Sequence, residues 1–459
     1  MVAIVVLGLL YRLDGSMKRG AFDPIIPENS TWVVASSDMG ATWASLEATQ
    51  WWIDIHNEPG NLLREPLVSL RKKAGIRLSP ERINTWMGAR AVAVQHDEQW
   101  AVEFRPGLLW KMTEPFRGET SDSDPNVKFW SDFWYTDVDG LIIVATSMET
   151  IGSMTKSKMV NFVMPEEEIV TVRFKSDDTI IKAAIQVTSS LPITIEMATD
   201  LPALDERLTV PAWSEHSPMI WMAGGDLRGV SILADRLGAS FLTSSDWDHS
   251  KWLHARWSNI AQGWDSLLRS YWRGGVSSNA SEQQSYVSWY GVDTDHSIHI
   301  PDWGIRLDTS GFVSPPSLPD YADYHVWNDV AGWSVIRNGG ARSMDVVAQN
   351  DSSLFYAEQW ASMQRLVDEQ KLAQSRLDKD VAIIVDWKKI SDVYSDMIEK
   401  AYEHEQLGSL DSNEKEKSIE FFLKPMSHGK FLSLTGNVES GLVILEGSLN
   451  LDEPRLVTD

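Results

Sequence analysis

Val381-Ala-Ile-Ile-Val-Asp386 is the stretch from which the fold is read, because it is a continuous apolar run closed by an acid. A run of this length suits a buried strand. Ile390, Val393, Tyr394, Met397, Ile398 and Ala401 then recur at helical spacing and mark one face of a helix. After a polar stretch and a short helix to Phe422, Phe431-Leu-Ser-Leu-Thr435 and Leu442-Val-Ile-Leu-Glu446 alternate as strands, with Gly436-Asn437 assigned as their turn. Ser448 to Leu451 extend the second strand. The unit is strand, helix, hairpin.

The same unit is visible twice more. Thr31-Trp-Val-Val-Ala-Ser-Ser-Asp38 leads into helical stretches carrying Trp43, Leu46 and Ile53, then Leu62 to Ala74, and Ser79-Pro80-Glu81 starts a further helix. Ala89 to Pro106 forms its hairpin around His96-Asp97-Glu98. In the middle of the chain, Met219 to Ala223 precedes a helix with Val230, Leu233 and Leu237, and Gly332 to Ile336 pairs with Met344 to Ala348. Further hairpins are expected across Asp139-Gly140 and Asp177-Asp178. The expected fold class is α+β, with repeated strand-helix-hairpin modules whose antiparallel sheets are covered by helices. The expected organisation is a membrane anchor or signal remnant at 1–14, a linker at 15–30, a first module at 31–205, a Trp-rich middle module at 206–350, and a helical segment with a last module at 351–459.

Asp38, Gly75-Ile76, Trp86-Met87-Gly88 before a hairpin, and the final hairpin from Phe431 to Leu451 resemble an uncharacterised family of exported, single-pass-anchored bacterial proteins, a domain of unknown function. The resemblance covers most of residues 30–451. It implies an exported location and brings no catalytic residues.

Composition narrows the function classes. The chain has 41 Lys and Arg against 65 Asp and Glu, and a net charge of −24 repels a nucleic-acid backbone or an anionic membrane surface. With no Cys, disulfides, thiolate nucleophiles and Cys-ligated metals are excluded. Val2 to Leu10 is apolar but shorter than the ~20 residues needed to span a bilayer. It reads as the tail of a truncated anchor or uncleaved signal, with Gly15, Gly20, Pro24 and Pro27 as the linker beyond it, or as a buried N-terminal strand. Of the two, the anchor is the reading adopted, with membrane contact through the N-terminus only.

Motifs that name a reaction are absent: there is no phosphate loop, dinucleotide fingerprint or hydrolase elbow. Ser69-Leu-Arg-Lys72 and Ser153-Met-Thr-Lys156 match S-x-x-K without the downstream partner motif. Asp122, Asp124 and Asn126 imitate half of a calcium loop, but Val127 and Phe133 stand where Gly and Glu are required. Asp295, His296 and His299 are weak metal candidates, because strand alternation points the two imidazoles to opposite faces. No cofactor and no metal is expected.

Tryptophan supplies the remaining signal, with 22 in 459 residues. Trp32, Trp100, Trp221 and Trp333 fall in strands, and Trp257 and Trp264 share a helical stripe with Leu253, Ile260, Leu267 and Tyr271. Trp247, Trp252, Trp272, Trp289, Trp303 and Trp327 fall outside that stripe and are the candidates for exposure. Two functions follow. One is a non-enzymatic, membrane-tethered extracytoplasmic scaffold or accessory protein with a protein partner in the bacterial envelope. The alternative is a carbohydrate-binding or glycoside-cleaving protein using the 246–329 region, with Asp293 and Asp302 near Trp289 and Trp303 as paired acids.

Overall fold

Among the described residues of the computed structural model strand outweighs helix by 56% to 19%, which overturns the expected α+β class in favour of a mostly antiparallel β fold. The structure describes residues 22–47, 84, 87–96, 99–113, 118–130, 133–156, 162, 170–176, 179–185, 190–199, 201, 203–204, 208–211, 213, 217–225, 230, 271–272, 284–293, 300–308, 315–327, 330–336, 344–372, 374–403 and 429–451. The reason for the correction is that hairpins propagate the sheets, while the described helices occur singly between strands and do not form a layer of their own.

The chain divides into two compact units. Unit 1 is Met1–Ile193 with Glu420–Pro425 and Leu451–Asp459, and unit 2 is Thr194–Ile419 with Met426–Asn450. The division falls within β10 (Ser190–Ala198).

Unit 1 runs β1 (Trp32–Ser36), α1 (Met39–Glu47), β2 (Ala91–His96), β3 (Gln99–Phe104), α2 (Leu108–Thr113), β4 (Glu119–Thr120), β5 (Val127–Trp130), β6 (Phe133–Val138), β7 (Leu141–Ala145), α3 (Met148–Lys156), β8 (Val170–Ser176) and β9 (Thr179–Ile185). The ladder order is β9-β8-β1-β2-β3-β7-β6-β5-β4, antiparallel at every step. Asp139 and Gly140 both take positive φ between β6 and β7, the geometry that a tight hairpin requires. Val33, Val94, Ala101 and Ile143 pack with Ile151 and Met154 of α3, and Ile26 of the N-terminal segment closes the same cluster.

Unit 2 contains β11 (Leu208–Pro211), β12 (Ile220–Gly224), β13 (Gln284–Asp293), β14 (Ile300–Asp308), β15 (Asp323–Trp327), β16 (Val330–Ile336), β17 (Met344–Gln349) and β18 (Ser353–Ala357). It continues through α4 (Trp360–Lys371), β19 (Gln374–Leu377), β20 (Val381–Asp386), α5 (Trp387–Glu403), β21 (Gly429–Glu439) and β22 (Leu442–Leu451). Its ladder is β15-β16-β17-β18-β14-β13-β12-β20-β21, again antiparallel throughout, and β11 pairs separately with β19. The strand order repeats that of unit 1, and α4 follows β18 as α3 follows β7. Ala145 closes β7 opposite Ala101, and Ala357 closes β18 opposite Gly304, so the two ladders can be compared rung by rung.

The last hairpin turns later than its sequence suggests. β21 runs through Gly436, and the chain reverses at Ser440 and Gly441, both at positive φ. Gly436 is needed for close approach instead, since a Cβ there would lie 2.2 Å from the Ile444 carbonyl oxygen. Among the described residues no helix is long and apolar enough to cross a membrane. The Val2 to Leu10 run lies outside the described residues.

Candidate functional site

α4 lies on one face of β14 and β18 because its Leu366, Met363 and Val367 are buried against the sheet. Gly304 permits the close contact, as a Cβ there would come within 3.0 Å of Leu366 Cδ2. This interface also carries a line of polar groups. Glu369 of α4 is 5% exposed and accepts from Trp221 Nε1 at 3.0 Å and from the Tyr290 hydroxyl at 2.8 Å. The Ser288 hydroxyl lies 3.2 and 3.1 Å from its two carboxylate oxygens. Burial raises the Glu369 pKa above the ordinary carboxyl value, and Arg306 followed by the Tyr290, Ser288 and Trp221 donors oppose it. Burial, and then the carboxylate of Glu369, push the Tyr290 hydroxyl well above its usual range.

Both ends of the line are closed. Near the start of α4, the Ser362 hydroxyl and the Arg365 guanidinium donate to Asp302. Toward its end, Arg306 stacks 3.8 Å from the Tyr286 ring centroid, and its Nε lies 3.1 Å from Asp308 Oδ1. Ser353 donates to Asp308 at 2.8 Å and accepts from Gln370 at 2.8 Å, and Gln370 accepts from Asn350 at 3.0 Å. The Tyr286 hydroxyl donates to Gln284 and receives a bond from Thr209 at 2.8 Å. Such a network fixes one register of helix on sheet and holds its carboxylates by several donors each.

On the opposite face of the same strands, Asp345 accepts from Tyr356 at 2.7 Å and Tyr271 at 2.5 Å. Trp303 leans on Tyr356, and Trp272 packs edge-on to Tyr271 and donates to Gln349. Trp272 and Trp303 are therefore core residues at 1% and 2% exposure, which corrects the expectation that they are exposed. Stacking against other aromatic rings in the interior explains their placement.

The other residues named by the sequence are dispersed. Trp289 is half-buried, and its indole donates to the Gly291 carbonyl at 2.6 Å beside a register shift in β13. Asp302 stands opposite Gly291, and Asp293 stands opposite Ile300 at the end of β13. The side chains of Asp293 and Trp327 lie outside the described residues, as do Trp247, Trp252, Asp295, His296 and His299 entirely. Asp124, from the calcium-like stretch, accepts from the Asn126 amide at 2.9 Å and so shapes a turn. Among the described residues no group of three or more His, Asp or Glu is placed to hold a metal.

Three features were missed by the sequence reading. The first is Glu369, for which helical periodicity gives no warning. The second is Glu103 on β3, 0% exposed, with Oε2 accepting from the Ile25 amide at 2.7 Å. Its Oε1 has no hydrogen-bond partner among the described residues, and burial pushes its pKa to about 8. The third is an exposed group at one margin of unit 2: Tyr321 at 67%, Tyr324 at 58% and Val326 at 65%. The alternation of Asp323-Tyr-His-Val-Trp327 carried a strand signal for it. Tyr324 leans on Trp333 of β16. His325 packs on Trp360 and has Nε2 3.0 Å from the Ser334 hydroxyl oxygen.

What the fold and site define is an antiparallel β protein with a buried charged seam under one helix and an exposed aromatic margin. No family model, curated protein or solved structure matches the chain.

Proposed function

We propose that this chain is a non-enzymatic, extracytoplasmic accessory protein, tethered to a bacterial membrane through its N-terminus, that works by binding a protein partner. One observation carries the reading. The aromatic and acidic groups described around α4 are engaged with one another, whereas Tyr321, Tyr324 and Val326 are turned to solvent at a sheet margin. Aromatic residues in that setting are typical anchors of protein interfaces. The acidic surface and the apolar N-terminal run support an envelope setting in which nucleic acid is not a ligand.

The test produces the protein from its own gene in its own host. Recovery with the inner membrane, digestion by protease added from the extracytoplasmic side, and one discrete cross-linked species are the expected results. The purified protein leaves a panel of polysaccharides intact. Recovery in the cytosol, or polysaccharide turnover that disappears in Asp293→Asn and Asp302→Asn, overturns the proposal.

A further inference from the structure

β15 is the margin of the unit 2 ladder, since among the described residues it pairs with β16 and with no other strand. A free strand edge offers a row of backbone donors and acceptors, and proteins usually blunt such edges by shortening them or placing charge on them. Unit 1 does so at the corresponding margin, where β4 consists of Glu119 and Thr120 alone, both exposed. β15 is longer and is flanked by Tyr321. Register places Tyr324 opposite Trp333 and Val326 opposite Ala331, so the exposed Tyr324 and Val326 share one face of the strand.

Charge decides what such an edge accepts. Asp320 and Asp323 are exposed beside Tyr321 and Tyr324. A second copy of a chain with net charge −24 is repelled from this margin, and a basic segment is drawn to it. Resting on the partner-binding reading above, we propose that β15 is the docking edge for an extended basic segment of the partner protein, which adds to the sheet as one more strand. Main-chain hydrogen bonds hold that segment, its Lys and Arg side chains pair with Asp320 and Asp323, and its apolar side chains, which alternation sends to the other face, cover Tyr324 and Val326.

The probe is a short synthetic peptide alternating valine with arginine or lysine, titrated by calorimetry into the full chain beside an acidic peptide of the same pattern. Saturable binding of the basic peptide alone is expected, weakened by added salt and about tenfold by Asp320→Lys combined with Asp323→Lys. Tyr324→Ser weakens it as well, with the circular dichroism spectrum unchanged. Equal binding of both peptides, or indifference to the charge reversal, overturns the proposal. Self-association in sedimentation that Tyr324→Ser abolishes also overturns it, by showing a second copy on the edge. A photo-cross-linking residue placed at Tyr324 and, separately, at Phe129, an exposed aromatic residue of β5 beside the unit 1 margin strand β4, distinguishes this failure from that of the wider reading. A partner adduct at Phe129 without one at Tyr324 sinks the docking edge and leaves partner binding standing, and silence at both positions removes the two together.

Discussion

Glu103 and Arg306 occupy corresponding rungs of the two ladders, and their surroundings could hardly differ more. Glu103 lies between Val92 and Ile143, with a single backbone amide from Ile25 as donor. Arg306 lies between Tyr286 and Phe355, over an aromatic face and beside Asp308. The crossing helices differ in the same sense: α3 offers Ile151 and Met154 to its sheet, whereas α4 offers Leu366 together with Glu369. One strand order thus supports both an apolar interface containing an isolated carboxyl and an interface with a connected set of charges. A buried charge is sustained by the donors around it and not by the fold that surrounds it.

The strongest way to break this comparison is pH. The unfolded chain releases the Glu103 proton near 4.5, while the folded protein retains it to about 8. Stability is therefore highest below the lower value, falls as pH rises through the window, and is fully reduced above the upper one. At about 1.4 kcal/mol per pH unit the total loss is roughly 5 kcal/mol. Urea midpoints at acid, neutral and alkaline pH check this, and Glu103→Gln, whose amide oxygen still accepts from Ile25, should remove most of the slope.

Next in size is Glu369→Ala, which strips the shared acceptor from Trp221, Ser288 and Tyr290 and should cost about 3 kcal/mol in urea unfolding. Glu369→Gln should be milder, because one oxygen remains to accept. Should the alanine variant prove neutral, the seam would have no more structural weight than an exposed polar surface.

Gly304→Ala sharpens the comparison through packing, since the corresponding position in unit 1 is already Ala101. Its methyl group meets Leu366 and should cost about 2 kcal/mol, with a lowered thermal midpoint. Asp302→Asn has the smallest effect, at most about 1 kcal/mol, because Arg365 is half exposed and its ion pair is screened.

The sequence conveyed local pieces better than the way they assemble. The hairpin over residues 91–104 and the turn at Asp139-Gly140 were legible because period-two alternation and a left-handed turn signal are local properties. The fold class was misjudged because helical periodicity around residues 390–401 gave a single helix, set between the paired strands β20 and β21, the weight of a layer. Gly436 was taken for a turn because a glycine demanded by close strand approach looks, in one dimension, like a glycine demanded by a turn. Of the candidate residues, Asp302 and Trp289 were named as a ligand or partner surface, and their engagement within the protein was not legible. Asp302 meets Ser362 and Arg365 only through the sheet-helix contact. Trp303 was placed outside for want of knowing that Tyr356 stands beside it.

The crossovers that build the two ladders also bear on how the chain reaches them. Trp32 finds its partner Phe174 only after most of unit 1 has been made, and Ile220 waits in the same way for Val385. Pairings so distant in sequence raise the loop-closure entropy of the folding barrier and place all-β chains of this kind among the slow folders. β1 and β12 therefore each spend part of synthesis with one edge uncovered. Until Phe174 and Val385 are made, those edges are open to aberrant pairing, an exposure set by topology and independent of what the finished protein binds.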